Sequence, residues 1–257
     1  MVVALVAALV LITGGWGALQ WGLGDVATQQ PVKEPALGLQ GEVVTIDPGH
    51  NGDNGANPDV INQQVDIGQG QTKECDTTGT ETASGYTESS YTMDVALRLA
   101  ALLRQDGAKV VLTRKNNRGV GPCIDRRAQI GNEHRSDAAV SIHADGGPTT
   151  GRGFHVIYPS DIPGLTDDVY RPSKRLAYDL RAAYERETAV PRADYIGRDG
   201  LDMRDDLGGL RLSNVPKVFI ETGNMRNPTD AGLLESPLFR ERAAAGVYRG
   251  IAAFLER

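Results

Sequence analysis

Short apolar runs alternate with longer stretches of helical period along most of this chain. Residues 42–47, 109–113, 138–142, 153–158 and 217–221 read as strands. Each is rich in Val, Ile or Phe and stops at turn-forming residues, as buried strands do. Between them the spacing predicts helices over 88–105, 124–135, 172–187 and 237–255. In the first, Tyr91, Val95, Leu99 and Leu102 recur at helical intervals, and Gly107 offers a C-terminal stop. This alternation predicts a single α/β domain built on an open, twisted, mostly parallel sheet with helices on both faces. Two segments read as loops. Residues 51–85 are polar, glycine-rich and long for a connection, and residues 195–214 read as a loop with a short helix. Long loops at the strand ends of such a sheet usually carry the site.

The first 40 residues are foreign to that pattern. No charged side chain occurs from Val2 to Gly24, and MVVALVAALVLI is almost purely aliphatic. A secretory signal or signal-anchor explains this best, followed by a polar linker over 27–40. Against it, no Lys or Arg precedes the run, while Gly14, Gly15, Gly17, Gly22 and Gly24 weigh against a full spanning helix. Residues 41–257 then form the functional domain, acting in the periplasm, the cell envelope or outside the cell. Membrane anchoring through the first segment is the alternative to its cleavage.

The 257 residues suffice for an ordinary core without crosslinks. A formal net charge of -6 with scattered basic residues argues against a nucleic-acid partner. The two cysteines, Cys75 and Cys123, lie in no C-x-x-C motif. Export favours their oxidation, so a Cys75–Cys123 disulfide is expected, pinning the long loop after His50 to the helix that starts near Ile124. Closing such a loop stabilises a fold by about 4 kcal/mol on chain-entropy grounds. Two independent buried thiols are the alternative.

Four polar residues stand at the ends of predicted elements: His50 in VVTIDPGH, Glu88 opening ESSYTMDVALRLAALL, His143 in AAVSIHAD and Glu221 in VPKVFIETGN. Two imidazoles and a carboxylate can hold a zinc ion with one position open to water, and a second carboxylate can serve as general base. His50 and His143 end different strands, at the edge where α/β sheets bind ligands. Glu88 would share a helix face with Tyr91, Val95 and Leu99, but a first-turn glutamate also suits the helix dipole, and Glu74 and Glu81 compete for the role. Glu221 closes a buried strand, where an unpaired carboxylate is costly unless it faces a cleft, a metal or a partner such as Arg226. His155 reads as a packed strand residue and His134 as a helix-end cation. Asp47 and Asp145 flank the proposed ligands and could orient an imidazole or simply make turns.

IDPGH, the helix-opening glutamate, SIHAD followed by GRGFHVIYPS, and VFIETGNMRNPTDAGLLE together resemble the zinc-dependent N-acetylmuramoyl-L-alanine amidases of the third amidase type. The resemblance runs from about Gly41 to Leu255 and is closest to short members without wall-binding modules. It implies one zinc ion per chain on His50, Glu88 and His143, with Glu221 as the catalytic glutamate. It also implies a peptidoglycan or muropeptide substrate, cut between N-acetylmuramic acid and L-alanine. A monomer is expected. Some relatives carry an extra zinc-occluding helix, and residues 159–192 are long enough for one ordinary helix only. Asn224 after E-x-G and the cysteine-bearing loop depart from the family pattern. Arg198, Arg204 and Arg211 could meet stem-peptide carboxylates but are assigned no site role. The rival readings are a zinc peptidase or deacylase acting on another amide, and a non-catalytic wall-binding regulator.

Overall fold

The computed structural model describes residues 38–256; the expected export segment and nearly all of the linker lie outside the described residues. The first described elements are β1 (Val43–Pro48), α1 (Pro58–Ile61), β2 (Gln64–Asp66) and β3 (Thr72–Glu74). It continues through α2 (Glu88–Gln105), β4 (Lys109–Leu112), α3 (Ile124–Glu133), β5 (Ala138–Asp145) and β6 (His155–Pro159). The last elements are α4 (Asp167–Thr188), β7 (Leu201–Arg204), α5 (Gly208–Arg211), β8 (Lys217–Asn224), α6 (Pro228–Leu234) and α7 (Pro237–Leu255).

One six-stranded sheet has the order β4-β1-β5-β8-β6-β7. β4, β1, β5 and β8 run parallel; β6 turns antiparallel to β8, and β7 pairs parallel to β6. The expected mostly parallel sheet is therefore present, with a reversed pair at one edge. Side chains alternate across it, as the two-residue strand period requires. Val44, Ile46, Val140, Ile142, Val218, Ile220 and Val156 join the apolar core with Val95, Leu99, Leu180, Tyr184, Val247 and Ile251 of α2, α4 and α7. α7 lies so close to α4 that a Cβ on Gly250 would come within 2.6 Å of Leu180 Cα. The alternate positions of the central strands, Asp47, Ser141, His143, Lys217 and Glu221, are polar and share the opposite face. α3 and α5 pack together over that side.

The differences from the sequence expectation are local. β5 and β8 run to Asp145 and Asn224 rather than stopping at residues 142 and 221, because Asp145 still pairs with Asn224 across a register shift. His143 and Glu221 thus sit inside paired strands, whose neighbours hold them more firmly than a loop would. The segment 51–85 is not featureless: it contains α1 and the β2–β3 hairpin. β7 was hidden by its charged residues, an edge strand needing no apolar run. α4 begins at Asp167, a turn before Pro172, because Thr166 ties its start to Ser160 and Ile162 while Asp167 and Asp168 suit the helix dipole. Among the described residues it is the only helix between β6 and β7. No helix among the described residues is long and apolar enough to cross a membrane.

Candidate metal centre and active site

The loop that leaves β1 is bound from three sides before it presents His50. Pro48 O accepts from Arg114 Nε at 3.0 Å and Arg127 Nη1 at 2.7 Å. Gly49 O accepts from Thr92 Oγ1 at 2.9 Å and Arg114 Nη2 at 3.0 Å, and His50 O from Arg127 Nη2 at 3.0 Å. Both arginines are buried. Their fixed donor forks hold three successive carbonyls while His50 adopts a left-handed backbone, φ 57°. That conformation costs a non-glycine residue on the order of 1 kcal/mol and persists only where its surroundings enforce it.

Glu88 is the first residue of α2 and is almost fully buried. Its Oε1 lies 2.9 Å from His143 Nδ1 and accepts from Ala144 N at 3.2 Å. Its Oε2 lies 3.2 Å from His50 Nε2 and accepts from Thr80 N at 3.0 Å. One carboxylate therefore spans both imidazoles, whose rings meet edge to face at 5.0 Å between centroids. Phe219 stacks on the outer side of His143 at 5.2 Å. One donor atom from each of His50, Glu88 and His143 falls within 4.8 Å of the others. The competing Glu74 and Glu81 are exposed and stand outside this cluster.

The electrostatics suit a cation. Burial opposes a charge on His50, yet Glu88 and then Asp76 outweigh it and raise the imidazole to about 10. Burial likewise favours a neutral Glu88, but His50 and His143 hold its carboxyl well below the ordinary range. The negative charge that Glu88 and Asp76 set beside His50 would attract a cation equally, and two imidazoles with one carboxylate suit zinc.

Glu221 stands beside this cluster. It pairs in register with His143 on one side and His155 on the other, so all three project from one face of the sheet. Its Oε2 is buried and has no hydrogen-bond partner among the described residues. Burial, then the nearby carboxylates of Glu88 and Asp145, push its carboxyl well above the usual range. A cavity of about 400 Å³ is lined by His50, Glu88, His143 and Glu221, with Arg204 on its wall. A second of about 190 Å³ meets it at His50, Thr77, His143, Leu207 and Phe219. A carboxylate beside three side chains that could hold a metal, in an open cleft, has the placement needed to move a proton in hydrolysis.

The family described as N-acetylmuramoyl-L-alanine amidase matches residues 44–253. This chain belongs to that family. The amidase is 46% identical over 217 residues to N-acetylmuramoyl-L-alanine amidase Rv3717 of Mycobacterium tuberculosis, covering 84% of this chain and 88% of that protein. Its fold matches the crystal structure of Ami1 from Mycobacterium smegmatis with a TM-score of 0.80 at 46% identity, over 84% of this chain and 98% of that one. AmiC2 of Nostoc punctiforme is more distant, with a TM-score of 0.62 at 25% identity, over 84% and 98% of the two chains.

The remaining sequence candidates of the amidase sort themselves by contact. Asp47 touches no imidazole: it accepts from Thr113 at 2.6 Å, Ser141 at 2.6 Å and Arg127 at 2.9 Å, with Lys217 Nζ at 3.3 Å. Asp145 accepts from Tyr195 OH at 2.9 Å. His155 is a packed strand residue, as expected, and His134 caps α3. Arg211 is buried and bonded to the carbonyls of Ile67, Gly68 and Asp205, so it braces the fold rather than facing a ligand. Asn224 is also buried and donates to Pro148 O and Gly151 O, fixing the loop after β5. The Cys75–Cys123 disulfide is formed. Sequence reasoning missed Arg114, Arg127 and Asp76, whose only signal was charge beside turn residues.

Proposed function

We propose that this amidase is a zinc-dependent peptidoglycan hydrolase whose catalytic domain spans residues 41–257. His50, Glu88 and His143 would hold one zinc ion, and Glu221 would be the catalytic acid–base. The bond cut is the amide between N-acetylmuramic acid and the L-alanine of the stem peptide, which puts the enzyme's work in the cell envelope or outside the cell. The observation that carries the reading is the convergence of the three donors within 4.8 Å beside a carboxylate whose buried Oε2 has no partner among the described residues. Residues 1–40 fit an export signal or anchor joined by a linker, and a monomer working on wall polymer or its fragments suits the open cleft.

Zinc held there supplies Lewis-acid activation of water and of the scissile carbonyl. Glu221 accepts the proton of the attacking water and returns it to the departing alanine nitrogen. Phe219 and the Pro48–His50 carbonyl clamp keep the imidazoles oriented while the proton moves. Mass spectrometry of muropeptide digests, with and without a chelator, tests the proposal. Free stem peptide with N-terminal L-alanine is expected only without the chelator. Unaltered release in its presence rejects the zinc, and cleavage at another amide rejects the substrate.

A further inference from the structure

Resting on the metal reading above, we propose that Asp76 is the positioning residue of the metal centre. It would fix the ring of His50 for metal binding through a strut anchored by the Cys75–Cys123 disulfide. His50 points Nε2 at Glu88, so Nδ1 is the nitrogen left to orient the ring. Asp76 Oδ1 lies 3.2 Å from Nδ1, with Thr77 O at 3.1 Å and Thr77 Oγ1 at 3.3 Å. All three acceptors belong to two consecutive residues, and Asp76 holds that pair in shape by accepting from Thr77 N at 2.8 Å. A hydrogen on Nδ1 leaves the lone pair on Nε2, the tautomer a metal at Glu88 requires.

The strut continues away from the site. Asp76 Oδ2 accepts from Arg127 Nη2 at 3.2 Å, and the same guanidinium nitrogen donates to His50 O. One buried arginine thus ties together the backbone of the ligand and the carboxylate facing its ring. Arg127 is on α3, whose N-cap is Cys123, and Asp76 follows Cys75. The disulfide therefore joins the two segments that carry the two halves of the strut, and Ile124 N reinforces it by donating to Cys75 O at 2.9 Å. The segment 51–85 borders the site through Asp76 and residues 77–80, and the covalent tie at Cys75 holds that part of it to the start of α3.

The test is equilibrium zinc affinity of the full chain by chelator competition, with the His50 tautomer read by long-range 1H–15N correlation. Asp76→Ala should weaken zinc binding by about 10–100-fold, the effect of removing a partner of a ligating histidine. Asp76→Asn, nearly isosteric and still able to accept from Nδ1–H and Thr77 N, should recover part of that loss. The Cys75→Ala/Cys123→Ala pair should weaken zinc binding in the same direction. A merely structural Asp76 would lower the melting temperature without moving zinc affinity or the tautomer. Wild-type affinity in both Asp76 variants overturns the inference; should Asp76→Ala not fold, Asp76→Asn alone decides it. Wild-type protein that binds no zinc overturns the metal reading itself.

Discussion

Gly49 lies where the His143 ring leaves no room for a side chain: a Cβ there would stand 2.2 Å from His143 Cε1 and 2.5 Å from Nδ1. The two residues are 94 positions apart and belong to neighbouring strand ends. Replacing Gly49 by Ala must therefore displace the imidazole from Glu88 or push the clamped loop off its arginines. We expect Gly49→Ala to lose zinc on dialysis and at least about 10²-fold in turnover, the scale of a misplacement near 1 Å. Zinc content and muropeptide release, measured on the same sample, check this.

Glu221→Gln separates binding from chemistry. The amide keeps the size of the side chain but cannot take the proton of the attacking water. Turnover should fall by about 10²–10⁴-fold, the usual worth of a positioned acid–base, with one zinc per chain retained. Near-normal turnover in this variant would remove Glu221 from the mechanism.

Because the three donors come from separate parts of the chain, metal should stabilise the folded state. Zinc at a hundred times its dissociation constant is expected to add about 2.7 kcal/mol. Urea denaturation with and without zinc measures this, and the increment should vanish in Glu88→Ala.

Asp47 predicts an acid limit to stability. Burial alone would raise its carboxyl, but Lys217, then Arg127 and the Ser141 and Thr113 hydroxyls hold it far below the ordinary range. An unfolded aspartate takes up its proton near about pH 3.9. Between that pH and the lower folded value the unfolded chain binds more protons, so stability falls as pH falls, by about 1.4 kcal/mol per unit for this group. Asp47→Asn leaves Arg127 and Lys217 buried without their counter-charge and should cost about 3–5 kcal/mol at pH 7. The gap to wild type should narrow below about pH 4, as urea titrations at pH 7 and pH 3 would reveal.

The helices were legible because their apolar faces recur regularly, and α2 and α7 begin and end where the spacing predicts. The central strands were legible as Val- and Ile-rich runs. β7 was not, since an edge strand carrying Asp202 and Arg204 has no such pattern. The four proposed site residues could be picked out from the ends of predicted elements, strengthened by family resemblance, although His143 and Glu221 lie inside longer strands. Their supports could not. Arg127 acts 77 positions from His50 and Arg114 acts 65 positions from Gly49, and in the sequence each resembles an ordinary surface arginine. Asp76 was hidden in a segment with no period at all, and only the folded hairpin brings it to the histidine.

The four groups of the proposed centre come from the end of β1, the start of α2, β5 and β8, so the cage spans the chain from residue 50 to residue 221. No fragment emerging early from synthesis contains it. On the proposed reading, the amidase has no complete centre until β8 docks beside β5, so the catalytic set would assemble only after most of the domain has been made.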